Sequence, residues 1–157
     1  MQQEVIFINT RFDPDITPFH AIAKEMAKAV GYTADLKVDK KLAQLLRLRV
    51  AQANECAYCI ILHARTSREI GIDAAKVDNI SSWYNSHLYT DKEKAALAYC
   101  DALNEGKTKA FDQFHEGLKA YFDEKEIAEI AAIVINMNVW TRLKLAQGAT
   151  PVYKEQA

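Results

Sequence analysis

The sequence predicts an all-α domain of about six or seven helices. Half of the 157 residues are hydrophobic, which is enough for one domain of this length to bury a core. Apolar residues recur at three- and four-residue steps along most of the chain, the spacing of one face of an α-helix. Only five glycines and three prolines are present, and they fall between the periodic runs. We therefore interpret residues 1–157 as a single domain.

Residues typical of helix starts and stops delimit the elements in order. Near the start, residues 4–8 (EVIFI) have strand-like composition, but no partner strand is evident. Thr17 then offers an N-cap, Pro18 suits the first helical position and Gly31 a stop. The predicted helices span residues 17–31, 39–54, 56–71, 73–83, 90–103, 111–122 and 123–148.

Two of these helix starts carry a capping box, in which an N-cap side chain and an acidic side chain three residues later bond each other's backbone N–H groups. The pairs are Thr90 with Glu93 and Asp123 with Glu126. Three helices also have a clear apolar face. Its residues are Leu42, Leu45, Leu46, Leu48 and Val50 in the second helix, Ile60, Ile61, Ala64 and Ile70 in the third, and Ile127, Ile130, Ala131, Val134, Met137 and Leu145 in the last.

Charge and composition argue against several function classes. Twenty Lys and Arg residues nearly balance 21 Asp and Glu residues, for a formal charge of -1, so nothing favours nucleic acid or an anionic membrane as a partner. No secretory signal or membrane-spanning apolar run is recognisable. Three cysteines, an odd number, do not suggest a disulfide scaffold. We expect a cytoplasmic protein.

The stretch NECAYCIILH, residues 54–63, contains the residues with the clearest chemical potential. In a helix, Cys59 and His63 stand at i and i+4 and share a face, which the sulfur of Cys56 can also reach. A helix N-terminus favours a thiolate. The imidazole can accept or return a proton, or stabilise the thiolate as an imidazolium. This set suits a thiol peroxidase or a disulfide oxidoreductase, reset by an external reductant.

Two other interpretations of the cysteine pair are weaker. A structural zinc site needs four ligands, whereas Cys100, His20, His87 and His115 stand singly in the sequence. The pair could also be buried cysteines that only pack, as we expect of Cys100 on its apolar helix. We expect no metal, and no glycine-rich motif indicates a nucleotide or flavin cofactor.

Two arginines interrupt the apolar helix that precedes the cysteines. For Arg47 and Arg49 we expect interhelical or intersubunit ion pairs.

Three segments together resemble a known family. LLRLRVAQANECAYCIILH (45–63), WYNSHLYTDKEKAALAYCDAL (83–103) and FDEKEIAEIAAIVINMNVWTRL (122–143) are similar, in the same order, to signature segments of the carboxymuconolactone decarboxylase superfamily in its AhpD-like alkylhydroperoxidase branch. The resemblance extends from about residue 42 to residue 145, with its core motif at 42–71.

The resemblance implies an all-helical fold, assembly as trimers or hexamers, and roles for the motif residues. Cys59 would be the peroxide-reducing thiolate, Cys56 would resolve the sulfenic acid and exchange with the reductant, and His63 would belong to the proton relay. A helix N-terminus by itself favours Cys56 as the more acidic sulfur. The glutamate that accepts a proton in peroxidase members is Gln44 here, and an amide cannot carry a proton away at neutral pH.

These observations favour a thiol-dependent peroxidase that reduces organic hydroperoxides or hydrogen peroxide and takes electrons from a thiol or protein reductant. We expect Ile60, Ile61 and nearby aromatic residues to line an apolar pocket for the peroxide. One alternative is a thiol–disulfide adaptor that re-reduces a partner peroxidase. Another is a non-catalytic, redox-responsive homo-oligomer.

Overall fold

A computed structural model describes residues 2–157 and confirms the all-α fold. A two-stranded sheet joins the two ends of the described chain, and short 3₁₀ segments fill several connections. The seven α-helices of the described residues are α1 (Phe19–Val30), α2 (Lys40–Ala53), α3 (Ala57–Glu69), α4 (Ala74–Asp78), α5 (Asp91–Glu105), α6 (Phe111–Leu118) and α7 (Glu124–Gln147). No helix within residues 2–157 combines the length and the apolar character needed to span a bilayer.

The sheet supplies the partner strand that the sequence did not reveal. Strand β1 (Val5–Asn9) pairs antiparallel with β2 (Ala149–Tyr153), which follows α7. Pro151 lies opposite Phe7 in this pairing, and a proline normally counts against a strand. It is tolerated because each strand of a two-stranded sheet is an edge strand.

Helices α2 and α7 form the centre of the fold. Helix α2 packs against α3, α5 and α7, and α7 also contacts α1. The apolar face predicted for α2 is buried throughout, with Leu46 and Val50 fully inaccessible. The face predicted for α7 is buried at Ile130 and Met137, but Leu145 near its end is exposed. The core therefore lies where the helices of longest apolar periodicity meet.

Most predicted boundaries agree with the structure, and both capping boxes are present. Helix α1 begins one residue later than predicted, at Phe19, because Pro18 and not Thr17 is its N-cap. Thr17 Oγ1 still accepts the amide of Phe19 at 3.4 Å. The helix predicted over 73–83 is interrupted, because α4 ends at Asp78 and a 3₁₀ segment continues over Ile80–Asn85.

The two arginines of α2 differ from each other. Arg49 forms the predicted interhelical ion pair, with its Nε 2.7 Å from Asp101 Oδ1 of α5. Trp83 Nε1 donates to the same carboxylate at 3.0 Å. The prediction is wrong for Arg47, whose guanidinium instead donates to the Val30 carbonyl and to Gln44 Oε1.

Helix α3 buries a different face from the predicted one. Ile60, Ile61 and Ala64 are only half-buried, and Ile70 is exposed. The buried residues are instead Cys59, His63 and Ser67, at four-residue steps. This polar face can be buried because its groups find partners inside the protein. Both Ser67 Oγ and Gln44 Nε2 donate to the His63 carbonyl, at 2.6 and 3.1 Å.

Substitution of Gly148, in the turn after α7, tests how tightly the sheet is attached to the helices. Gly148 has a φ of 70°, and a Cβ there would lie 2.1 Å from Thr10 Oγ1. Gly106, the matched control after α5, has a φ of 72° and open space around it. Gly106→Ala should cost about 1 kcal/mol of unfolding free energy from backbone strain alone. Gly148→Ala should cost about 1–3 kcal/mol more because of the clash.

Urea unfolding of both variants and the wild type, at one protein concentration, measures the difference. Equal losses of unfolding free energy in Gly106→Ala and Gly148→Ala would show that the contact with Thr10 does not constrain the turn.

Candidate active site

The turn between α2 and α3 positions the two cysteines. The chain reverses through Asn54 and Glu55, and Glu55 is the single non-glycine residue with positive φ (53°) among residues 2–157. Its side chain is exposed. Cys56 is then the N-cap of α3, where its Sγ accepts the backbone N–H of Cys59 at 3.2 Å. The thiol therefore occupies a position usually filled by a serine or aspartate oxygen.

The two thiols ionise as a pair. A hydrogen bond from the Cys59 thiol lowers the pKa of Cys56 below its usual value, and the backbone N–H of Cys59 acts in the same direction. The same thiol–thiol bond raises the pKa of Cys59, and burial raises it further. Of the two thiols, Cys56 is therefore the one that ionises first, and the shared proton then lies on Cys59.

Lys144 of α7 is a cation whose charge acts on both thiols. Its Nζ lies 4.5 Å from the ring centroid of Tyr58 and 5.6 Å from that of Trp140. Its charge favours the thiolate forms of Cys56 and Cys59. Burial lowers the pKa of Lys144 itself, and the two sulfurs counteract this. The cation–π contacts hold a partly desolvated ammonium group beside the dithiol.

His63 is held by two side chains from outside its own helix. Its Nδ1 lies 2.7 Å from the hydroxyl of Tyr32 and 3.3 Å from Nε2 of Gln44. Within residues 2–157, no hydrogen bond joins its ring to either cysteine sulfur. A proton passing between His63 and Cys59 must therefore travel through a molecule in the space that they share.

The orientation of the Gln44 amide determines the tautomer of His63. Arg47 Nη1 can only donate, and it contacts Gln44 Oε1 at 3.2 Å. The amide nitrogen then faces the His63 carbonyl, to which it donates at 3.1 Å. The ring nitrogen Nδ1 consequently faces N–H and O–H donors and carries the lone pair, so the proton of the neutral ring is on Nε2.

The imidazole is uncharged at neutral pH. Burial, together with the nearby positive charge of Arg47, lowers the pKa of His63 to about 3. This low pKa counts against His63 as an imidazolium that stabilises a thiolate. The charge of Lys144 favours the thiolate forms instead, and the neutral ring presents an N–H at Nε2.

Cys59 and His63 share the wall of one cavity of about 320 Å³. Aromatic and aliphatic side chains form most of its lining, including Tyr32, Tyr58, Leu62, Met137 and Trp140. The aromatic part of the predicted lining is present. The prediction is wrong for Ile60 and Ile61, which are not among the described residues that line the cavity. Ile60 packs against the hydrophobic core instead, and Leu62 lines the cavity.

Three residues of the cavity lining carry a polar atom that has no hydrogen-bond partner among the described residues. These atoms are Oδ1 of Asn136, Nε1 of Trp140 and Nε of Arg47, all inaccessible. Asn136 and Trp140 lie one helical turn apart on α7.

The remaining cysteine and the metal interpretation are separate from this site. Cys100 is fully buried in the core, with its Sγ 3.9 Å from the Leu46 carbonyl, which confirms its packing role. Across residues 2–157, no three His, Cys, Asp or Glu side chains gather closely enough to hold a metal ion.

Comparison with known proteins assigns a family to this arrangement. The model of the carboxymuconolactone decarboxylase family matches residues 18–102, more than half of the chain. The match includes Gln44, Cys56, Cys59 and His63. The chain belongs to the carboxymuconolactone decarboxylase family.

Three relatives illustrate where the chain lies within this family. The uncharacterized protein YdfG of Bacillus subtilis (strain 168) is 26% identical over 135 residues, which are 83% of this chain and 92% of YdfG. ATU0492 of Agrobacterium tumefaciens, of unknown function and suggested to be the antioxidant defence protein AhpD, is 27% identical with a TM-score of 0.81, over 88% of this chain and 95% of its own. The debrominase Bmp8 shares the fold at 20% identity and a TM-score of 0.72, over 83% and 69%. The chain is an AhpD-like family member.

The structure brings together all four residues singled out in the sequence, but they are not the whole site. Cys59 and His63 face the cavity, while Cys56 and Gln44 lie behind them as their hydrogen-bond partners. Sequence reasoning missed Tyr32, Asn136 and Lys144. For Asn136 a signal exists, because a polar residue stands at a core position of α7. Tyr32 follows the end of α1 and has no periodicity that would indicate its role.

The tautomer of His63 can be measured directly. In ¹⁵N-labelled wild-type protein, Nε2 of His63 should carry the proton and Nδ1 should resonate as a non-protonated nitrogen. Gln44→Glu should reverse this, because a carboxylate paired with Arg47 accepts a hydrogen bond and draws the proton to Nδ1. The measurement is a long-range ¹H–¹⁵N correlation spectrum at pH 7.

Gln44→Met is the matched control, since it removes both polar atoms without adding a charge. A wild-type His63 protonated at Nδ1 would contradict the hydrogen-bond assignment of Gln44 and Arg47.

Proposed function

We propose that the protein is a thiol-dependent peroxidase that reduces organic hydroperoxides, or hydrogen peroxide, with the Cys56–Cys59 dithiol. The observation that carries the proposal is one apolar cavity lined by both the Cys59 thiol and His63, with Cys56 bonded behind Cys59. Membership of the carboxymuconolactone decarboxylase family and the likeness to ATU0492 support it.

The reaction starts from the singly ionised pair. Because the charge resides on Cys56 and the cavity is lined by Cys59, the shared proton first moves from Cys59 to Cys56. The Cys59 thiolate then attacks the outer oxygen of R–O–O–H. The O–O bond breaks, Cys59 becomes a sulfenic acid, and R–O⁻ leaves. In this step Cys56 takes the proton that a glutamate accepts in the peroxidase pattern.

His63 completes the first half-reaction. Its Nε2–H donates a hydrogen bond to R–O⁻, which takes up the proton held by Cys56 and leaves as the alcohol R–OH. The Cys56 thiolate then attacks the sulfur of the sulfenic acid, forming the disulfide and expelling hydroxide. One thiolate, one thiol and one hydroperoxide thus give one disulfide, one alcohol and one hydroxide, which solvent protonates to water. An external thiol or protein reductant reopens the disulfide.

The burial of the dithiol favours a small oxidant over a protein partner. Cys59 is 2% exposed and Cys56 is 5% exposed, so the sulfur of a partner protein, a protein reductant included, would reach them only after α3 opens. A small peroxide enters through the cavity without that cost. The adaptor alternative needs two such encounters in each cycle and direct peroxide reduction at most one, so the adaptor has less support.

We also propose that the protein is a homo-oligomer. Phe19 and Ile135 are about half exposed, at 51% and 53%, although both are large and apolar. They line one surface groove together with Leu103, Val139 and Leu143. A contiguous apolar groove of this kind is typical of a protein–protein contact.

Intact-mass analysis tests the peroxidase proposal. Reduced protein is mixed with one equivalent of cumene hydroperoxide, alkylated and mapped. The wild type should lose two alkylatable thiols as a Cys56–Cys59 disulfide. Cys56→Ser should accumulate the Cys59 sulfenic acid after one turnover, and Cys59→Ser should not react. Cys100→Ser is the control and should behave as the wild type, since Cys100 lies in the core.

Three outcomes have distinct meanings. Survival of all three thiols would reject peroxide as the direct substrate. Oxidation of Cys59→Ser at the wild-type rate would transfer the attacking role to Cys56. Loss of Cys100 reactivity alone would place the chemistry outside the proposed site.

The residue at position 44 should set the rate of the first oxidation. Gln44→Glu adds a proton acceptor beside His63, and general acid–base groups contribute about 10²–10⁴-fold to rates. We expect the second-order rate constant for thiol oxidation by cumene hydroperoxide to rise at least about tenfold. Stopped-flow tryptophan fluorescence follows it, with Gln44→Met as the uncharged control. An unchanged rate in Gln44→Glu would mean that Cys56 already supplies all the proton transfer that the site needs.

A further inference from the structure

The Cys56–Cys59 disulfide must be reopened by a thiol that reaches one of two buried sulfurs. Only Cys59 of the pair is among the described residues that line the cavity of about 320 Å³. Cys56 lies behind it as the N-cap of α3, where its Sγ accepts the Cys59 N–H. A small molecule that enters the cavity therefore meets the sulfur of Cys59.

The cavity opens to solvent on the side of α1. Lys24 and Lys28, one helical turn apart on α1, are exposed, and both belong to the cavity lining. Cys59 and His63 line the same cavity but are buried. A molecule that comes from solvent to Cys59 therefore passes the two ammonium groups.

The charged residues that line the cavity are all positive. They are Lys24, Lys28 and Arg47, and no aspartate or glutamate is among the described residues of the lining. The whole chain, by contrast, has a formal charge of -1. A cavity lined by charges of one sign raises the local concentration of the opposite charge, so this opening attracts anions.

Two carboxylates near the lysines do not reverse this charge. Glu25 pairs with Lys28 at 2.7 Å, but the two side chains are 71% and 69% exposed, and exposed pairs of this kind are weak. Asp15, whose charge acts on Lys24, pairs with His20 at 2.7 Å. Neither carboxylate belongs to the described lining of the cavity.

Arg47 contributes charge to the cavity but no free hydrogen-bond donor. Its two Nη atoms donate to Gln44 Oε1 and to the Val30 carbonyl. Its Nε has no partner among the described residues, and it is inaccessible. The two exposed lysines are therefore the groups that can contact an anion directly.

The position of Cys56 also favours attack on Cys59. Thiol–disulfide exchange is faster when the sulfur that leaves belongs to the more acidic thiol. The hydrogen bond from the Cys59 thiol that lowers the pKa of Cys56 is absent from a disulfide, but the backbone N–H of Cys59 and the charge of Lys144 lower this pKa as well. Cys56 is therefore a good leaving group, and it leaves when Cys59 is attacked.

We infer that the reductant is a small thiol bearing a carboxylate, which enters the cavity past Lys24 and Lys28 and attacks the sulfur of Cys59. The inference rests on the proposed function and specifies its electron donor. It differs from the family resemblance, which implies that Cys56 exchanges with the reductant.

Two molecules of the thiol, R′–SH, complete the reduction. The first attacks Cys59 Sγ as its thiolate, the Cys56–Cys59 bond breaks, and Cys56 leaves as a thiolate. The second thiolate attacks the R′ sulfur of the mixed disulfide and releases Cys59 as a thiolate. The protein disulfide gains two electrons, R′–SH is oxidised to R′–S–S–R′, and the two thiol protons pass to the protein thiolates or to solvent.

The site of attack can be mapped without peroxide. Diamide, which accepts two electrons from a dithiol, first converts the reduced protein to the Cys56–Cys59 disulfide. The oxidised protein is mixed with 3-mercaptopropionate and quenched at short times with excess N-ethylmaleimide. Chymotryptic cleavage after Tyr58 separates the two cysteines for mass spectrometry. We expect mercaptopropionate on Cys59 and N-ethylmaleimide on Cys56.

A matched pair of thiols tests the preference for a carboxylate. 3-Mercaptopropionate and 3-mercaptopropionamide share one skeleton and differ in charge. The rate constants for reopening the disulfide are compared after division by the fraction of each thiol that is ionised. The carboxylate should react about two- to fivefold faster with the wild type. This ratio should approach one in about 1 M salt, where exposed charges are screened.

The double variant Lys24→Met/Lys28→Met should lose the preference for the carboxylate. Lys119→Met is the matched control, because Lys119 is exposed and pairs with Glu116 three residues before it at 2.8 Å, as Lys28 pairs with Glu25. Lys119 is not among the described residues that line the cavity, so its variant should retain the wild-type ratio.

Mercaptopropionate on Cys56 would overturn the inference, as would equal rates for the two thiols in the wild type or a failure of diamide to form the disulfide. A preference that survives in the double variant would also overturn it. The result is independent of the peroxidase assay. Attack on Cys59 with the expected preference, in a protein whose thiols do not react with cumene hydroperoxide, would retain the inference and reject the proposed function. Peroxide reduction without that preference would do the reverse.

Discussion

The site depends on a buried cation that has no carboxylate partner. Arg47 is 5% exposed, and its guanidinium reaches the Val30 carbonyl at 3.0 Å and Gln44 Oε1 at 3.2 Å. A buried charge is tolerated only where hydrogen bonds satisfy it. These two bonds connect the end of α1 to the middle of α2 and orient the amide of Gln44. The guanidinium also lies 5.2 Å from the ring centroid of Tyr32, so the same cation helps to place both partners of His63.

Electrostatics at the cavity follow from that placement. Burial, with the positive charge of Arg47 nearby, keeps the imidazole of His63 neutral, so the ring cannot share the negative charge of a thiolate. The cation that favours the thiolates is Lys144, on α7 rather than α2. In the proposed mechanism, acid–base chemistry and charge stabilisation therefore fall to different residues, which a sequence motif containing only Cys56, Cys59 and His63 does not reveal.

The sequence predicted the parts of this structure that local rules determine. Capping boxes at Thr90 and Asp123 and the apolar periodicity of α2 act within one helix, and both are present. Strand β2 was not predicted, because Pro151 counts against a strand and because its partner, β1, lies far away in the sequence. The buried face of α3 was predicted wrongly, because hydrophobicity alone assigns a core to its isoleucines. The buried face depends instead on a polar partner that is distant in sequence, Gln44 of α2.

The N-cap position of Cys56 links the fold to the proposed redox chemistry. In the reduced protein its sulfur accepts the Cys59 N–H and so completes the first turn of α3; replacing an N-cap acceptor typically costs about 0.5–2 kcal/mol. A disulfide sulfur carries no charge and is a much poorer acceptor than a thiolate. Oxidation to the disulfide therefore weakens the N-cap hydrogen bond that stabilises the reduced form. Because an interaction present only in the reduced form favours reduction, it makes the disulfide more strongly oxidising. A dithiol at a helix N-cap is thus readily reset by an external thiol, which is the property that repeated turnover requires.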